Sequence, residues 1–315
     1  MKSISLLAVI PAALTLAAAL PAAADENLFG YVAGAETLPQ GASEAYAWLT
    51  RRWDKGQGEY TAYDTELEYE YGVTSRFTAS VALLGQSIDT GGLVIDAYLP
   101  GAESYGLKSS GIEIKGKYNF LSAAKDPVGL SAMFELHQSW LDPHSGKDKD
   151  TTSFDVSMQL QKFFLDDQLV AVANAGFEGT YAKRSPLDAA TQASADVAMQ
   201  ALTGDPGARF EWPTKPEMEI EFTLGGGLSY HFAPNWNVGI ETQYQTEFET
   251  EVGQERWSVF AGPTLHYGGK RWWATLTWFN QLAGGREHYI NQADDDLHLI
   301  EKTKNELRLK LGYNF

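Results

Sequence analysis

Thr61-Ala62-Tyr63-Asp64-Thr65-Glu66-Leu67-Glu68-Tyr69-Glu70-Tyr71 is the stretch that decides the fold. Its odd positions carry Tyr63, Leu67, Tyr69 and Tyr71, and its even positions carry Asp64, Glu66, Glu68 and Glu70. Successive side chains of a β-strand point to opposite faces, so the aromatic and carboxylate sets separate. At helical spacing the same residues would mix around one surface. The segment therefore reads as a strand with one apolar and one acidic face.

The same period of two returns along the chain. Ile112, Ile114, Tyr118 and Phe120 alternate with Glu113, Lys115, Lys117 and Asn119. Phe154, Val156, Met158 and Leu160 alternate with Asp155, Ser157, Gln159 and Gln161, and Met218, Ile220, Phe222 and Leu224 with Glu217, Glu219 and Glu221. Val238, Ile240 and Tyr244 oppose Glu241, Gln243 and Gln245. A soluble sandwich also alternates, but its strands are usually shorter. Many of these reach the ~9–11 residues that a tilted strand needs to cross a bilayer.

Twelve strands are expected, near 44–53, 59–73, 76–86, 106–121, 127–140, 151–164, 168–182, 216–232, 235–249, 255–267, 271–283 and 303–315. Tight connections such as Thr74-Ser75, Ala233-Pro234 and Gly268-Gly269-Lys270 alternate with mostly longer ones at 87–105, 141–150, 183–215 and 284–302. Short turns on one side and long loops on the other describe a transmembrane antiparallel β-barrel with periplasmic turns and extracellular loops. Aromatic residues flank the tight turns, among them Phe77, Phe120, Phe164, Phe232, Trp236, Trp272 and Trp273, where rings would meet lipid headgroups.

Residues 1–24 read as a cleaved export signal: Lys2, an apolar run from Ile4 to Leu20, then Ala22-Ala23-Ala24. Residues 25–43 are expected to form an N-terminal periplasmic segment that lies against or inside the lumen, and 44–315 the barrel. The chain has no cysteine, which removes disulfides and thiol chemistry. Its net charge of −17 disfavours nucleic acid as a partner. The expected partners are outer-membrane lipid, lipopolysaccharide and, during biogenesis, the barrel-assembly machinery. No cofactor is called for, and the oligomeric state is left open.

In the long connection 183–215, Ser185 can cap a helix and Pro186 suits its first position, leaving either a short helix over the pore mouth or a mobile loop. Gly225-Gly226-Gly227 falls inside a strand, which suggests curvature or close packing against the N-terminal segment.

The last strand, with Leu307, Leu309, Leu311, Tyr313 and Phe315 at alternate positions, resembles the C-terminal signal that the barrel-assembly machinery reads. Asp25-Glu26-Asn27-Leu28-Phe29-Gly30-Tyr31, followed by Gly34-Ala35-Glu36-Thr37-Leu38-Pro39 and Gly41, resembles the start of an uncharacterised proteobacterial family filed as a domain of unknown function. The likeness continues through Trp48-Leu49-Thr50-Arg51-Arg52 and Tyr69 to Phe77. It implies a barrel and no activity.

The candidate functional residues are placed on the lumen face: Asp64, Glu66, Glu68, Glu70, Glu113, Lys115, Lys117, Glu135, Asp155, Glu217, Glu219, Glu221, Glu241, Arg308 and Lys310; Glu178 and Glu247 are expected to face inward as well. Carboxylates lining a wet pore attract cations and repel anions, so a passive channel for small cationic or neutral solutes is expected. The competing reading is a lumen closed by charge networks in a non-conducting envelope barrel. An enzyme is the weakest reading: His144 and Ser145 are adjacent in one loop, which does not place a nucleophile against a base. The loop acids Asp142, Asp148, Asp150 and Asp294 to Asp296 lack the spacing of a calcium loop and read as solvated surface.

Overall fold

The computed structural model describes residues 27–95, 99–101, 104–142, 146–212, 214–249, 253–289 and 291–315. The export signal and the His144–Ser145 pair lie outside the described residues.

The alternating stretches form strands β1 (Ser43–Trp53), β2 (Gln57–Thr74), β3 (Phe77–Ile95), β4 (Leu99–Gly101), β5 (Ser104–Leu121), β6 (Gly129–Leu141) and β7 (Asp148–Phe164). The second half adds β8 (Leu169–Arg184), helix α1 (Ala189–Thr203), β9 (Glu217–Ala233), β10 (Trp236–Glu249), β11 (Gly253–Gly268), β12 (Trp272–Gly285) and β13 (Asn305–Asn314). Neighbours in the chain pair antiparallel, β3 pairs with β5, and β1 pairs with both β2 and β13. The ring is thereby closed by twelve strands, with β4 a short hairpin on β3 outside it. Closure satisfies every ladder hydrogen bond without a free edge, as a sheet in lipid requires.

The two faces are inverted relative to a water-soluble protein. Leu67 is 60% exposed on the outside, while its neighbour Glu68 is 3% exposed on the inside. Tyr69, Val81, Leu83, Ile114, Leu224, Ile240 and Leu276 continue the outer apolar surface, whose solvent is lipid. Leu307, Leu309, Leu311, Tyr313 and Phe315 belong to it, and the Phe315 N–H donates to the Ser43 carbonyl across the β1–β13 seam (3.0 Å).

Two segments differ from the sequence expectation. The first is 87–105, expected as a loop because of its Gly91-Gly92 pair. Here β3 runs on to Ile95, because Ile88, Leu93 and Ile95 bury themselves with Tyr60 and Ala62 of β2 in an apolar cluster at the long-loop end. The second is the connection 185–216, which contains helix α1, but its cap is Asp188 rather than Ser185. The Asp188 carboxylate accepts the N–H groups of Ala190 (2.9 Å) and Thr191 (3.0 Å). Ser185 is instead tied to the barrel rim through its N–H on the Asp148 carbonyl.

Candidate functional site in the barrel lumen

All fifteen candidate lumen residues lie on the inward register of their strands, between outward neighbours most of which are exposed. They do not form one ring. Glu66, Glu68 and Glu113 gather around the Lys115 ammonium, which lies 3.2 Å from Glu66 Oε1, 2.9 Å from Glu68 Oε2 and in direct contact with Glu113. Asp64 is held by Arg52 through two N–H bonds of 2.5 and 3.0 Å. Glu217 pairs with Arg184 at 2.5 Å, and Glu219 with Lys149 at 3.5 Å. Glu70 and Lys117 are buried, and Lys310 is half-buried.

A second group appears only once the strands are in register. Lys115 of β5 is the direct partner of Glu135 on β6, which faces Asp155 on β7, then Glu178 on β8, Glu221 on β9, Glu247 on β10 and Arg256 on β11. Five carboxylates thus stand side by side across five adjacent strands, with a cation at each end. Like charges directly opposite one another weaken a sheet. Cross-strand side-chain pairs are worth roughly 0.2–1 kcal/mol, so each such contact weakens the sheet by a few tenths of a kcal/mol or more. Arg256 contacts Glu247, and Lys302 Nζ reaches Glu221 at 3.4 Å. Among the described residues no Lys or Arg forms an ion pair with Glu135, Asp155 or Glu178. The middle of the row is therefore a run of acidic side chains on the inner face without an ion-pair partner among the described residues. Glu135, Glu178, Glu221 and Glu247 border a cavity of about 650 Å³.

The floor of that cavity is the N-terminal segment, which crosses the lumen at the short-turn end with no strand or helix of its own. Its amides are taken by side chains of the wall. The buried Glu241 carboxylate accepts three consecutive N–H groups, from Gly30 (2.8 Å), Tyr31 (2.8 Å) and Val32 (3.1 Å), and the Thr277 hydroxyl at 2.8 Å. The Asn174 amide accepts from Ala33 N–H and donates to its carbonyl, Gln161 accepts from Ala35, and Thr78 from Leu38. Leu28, Phe29 and Val32 pack on Val170 and Val172, apolar residues on the inner face of β8. Gly225 and Gly227 are dents for this packing: a Cβ at Gly227 would lie 2.6 Å from the Phe29 ring, and one at Gly225 2.6 Å from Val32 Cγ1. Tyr31 stacks on Phe279 (centroids 4.2 Å apart) and donates its hydroxyl to Glu306 at 2.7 Å. The Arg308 guanidinium lies 4.0 Å from the Tyr31 ring centre and 4.5 Å from that of Trp48.

The roof is the connection between β12 and β13, which folds inward and buries Leu297, His298, Leu299, Ile300 and Glu301. Gln281 of β12 clamps it, accepting the His298 N–H (2.6 Å) and donating to the carbonyls of His298 and Thr303. Arg256 contacts Glu301 as well as Glu247, and lies 3.0 Å from Glu255. Lys55, in the short connection between β1 and β2, donates to the Glu301 carbonyl at 3.2 Å. Burial, reinforced by Arg256, pushes the His298 imidazole down to about 3. Burial alone would raise the Glu301 carboxyl, but Arg256, with Lys149 and Lys55, carries it well below the usual range.

Sequence reasoning missed Arg52, Lys149, Arg184, Arg256, Glu301 and Lys302 as lumen residues. Arg256 sits beside Glu255 at the expected start of its strand, where alternation is shortest, and Glu301 and Lys302 lie in what read as an ordinary loop.

The fold and the N-terminal motif point to a lineage. The chain matches the model of a family of unknown function, DUF6662, over residues 21–315. It belongs to that family. No curated protein matches it. Among solved structures it is similar to the COG4313 outer membrane channel from Pseudomonas putida F1, at 12% identity and a TM-score of 0.58 over 89% of this chain and 98% of the other. It is also similar to the beta domain of the Bordetella autotransporter BrkA, at 14% identity and a TM-score of 0.53 over 88% of this chain and 100% of that one. At such identities these likenesses speak for the fold, a twelve-stranded barrel of the outer-membrane class.

Proposed function

We propose that this DUF6662 member is a passive outer-membrane channel for small cationic or neutral solutes. The observation that carries the reading is the carboxylate row from Glu135 to Glu247 along the cavity of about 650 Å³, with no ion-pair partner for its central members among the described residues. A fixed row of negative charge in a pore raises the local concentration of cations and excludes anions. The aromatic and arginine cluster of Tyr31, Phe279, Trp48 and Arg308 narrows the path below it. A hydrolytic role has less support. A buried His266–Thr275 pair exists (2.8 Å), but the Thr275 hydroxyl is committed to the Asn27 carbonyl beneath the floor.

The test is single-channel recording of the purified barrel in planar bilayers under a KCl gradient. A reversal potential on the cation side supports the reading, and an anion-selective current refutes it. A second reading, a non-conducting barrel with a structural or surface role, is favoured by the floor and roof that both enter the lumen. It predicts no current with any ion.

A further inference from the structure

We infer that residues 27–41 are the gate of the channel, latched by Glu241, and that unlatching this segment toward the periplasm produces the conducting state. The inference rests on the channel reading above and names its regulation.

Three observations carry it. First, the barrel does not depend on the segment: the twelve strands close on one another, so its departure leaves every ladder intact. Second, the segment is held by the wall alone. Its amides go to Glu241, Asn174, Gln161 and Thr78, each of which water can replace once the segment lifts. Third, the seat is shaped for this segment. Gly30 passes so close to β12 that a Cβ there would lie 2.7 Å from Thr277 Oγ1, and Phe29 and Val32 fit the spaces left by Gly227 and Gly225. Glu241, 1% exposed, is the centre of the latch, since one carboxylate fixes the three amides of Gly30, Tyr31 and Val32. Charge-assisted bonds of this kind are strong in a dry seat and weaken steeply once water enters. An all-or-none release follows, because losing one of the three bonds admits the water that competes for the others.

Two variants of the full-length barrel test it. Glu241→Gln replaces one acceptor oxygen by a donor facing backbone N–H groups. Hydrogen exchange of the amides of residues 30–32 should accelerate about 10-fold or more relative to the strands, and open-state occupancy in bilayers should rise with it. The paired change Val32→Cys with Gly225→Cys, in a chain with no other cysteine, should form a disulfide that abolishes openings until a reductant restores them. Unchanged exchange in Glu241→Gln overturns the latch. Equal current from the oxidised and reduced cysteine pair overturns the gate even if the barrel conducts. Accelerated exchange without current from any variant removes the channel reading, and the gate falls with it. Exchange reads the segment and current reads the pore, so the two failures are told apart.

Discussion

The floor and the roof of the lumen border the same cavity and are held by different physics. At the short-turn end the N-terminal segment is held by backbone N–H groups on neutral amides, hydroxyls and the one carboxylate of Glu241, and by apolar side chains in glycine dents. At the long-loop end the β12–β13 connection is held by charge, with Arg256 serving Glu247, Glu255 and Glu301 together. A seat made of hydrogen bonds and shape responds to volume and to water. A seat made of buried ions responds to pH and to the loss of a single cation.

The largest break of this contrast comes from Arg256→Met. It leaves three buried carboxylates without their shared cation, at a cost of about 3–5 kcal/mol. The outcome is a lowered unfolding midpoint and proteolysis within 286–304, with the exchange of residues 30–32 unchanged.

Acid comes next. His298, held down to about 3 when docked and near 6.5 when free, disfavours docking as pH falls from about 6.5 toward 3. Glu301, depressed when docked, contributes stability above its ordinary range that is lost as pH falls through it. The two add in direction. At pH 5 the histidine alone weakens the roof by roughly 2 kcal/mol, so the protection factors of amides in 291–304, corrected for the intrinsic pH dependence of exchange, should fall between pH 7 and pH 5 while those of the floor hold. His298→Gln should remove the upper part of that response.

Gly227→Ala sharpens the other side of the comparison. Its methyl group meets the Phe29 ring, and overpacking of this kind costs about 1–3 kcal/mol. Faster exchange in 28–33 is expected, with no change in the roof. The smallest effect on stability belongs to Glu178→Gln, which relieves two like-charge contacts and should stabilise the barrel by a few tenths to about 1 kcal/mol. Its signature is a reduced cation preference in the reversal potential.

The barrel was legible because alternation repeats in every strand and the tight turns separate the repeats. The inward residues were legible for the same reason, since facing in or out follows from parity alone. Their grouping was not. Whether Glu178 neighbours Glu221 or Glu219 depends on register, and a strand end misplaced by one residue rearranges every cross-strand pair. The latch was hidden for another reason. Gly30 to Val32 have no period, and Glu241, Asn174 and Gln161 look like any other polar inward positions until the segment lies among them. Arg256 was lost because its third partner, Glu301, lies in a loop with no pattern to read.

The hydrogen bonds of the floor also fix an order of assembly. Gly30 meets Glu241 across 211 positions of the chain, and Asn27 meets Thr275 across 248. The ring itself closes through β13, paired with β1 from Glu44–Asn314 to Trp53–Asn305. The residues made first therefore find their places only after those made last have been laid down, and contacts of such separation form late. Each newly built molecule must thus lay down β10 and β12 before its floor has a full set of partners.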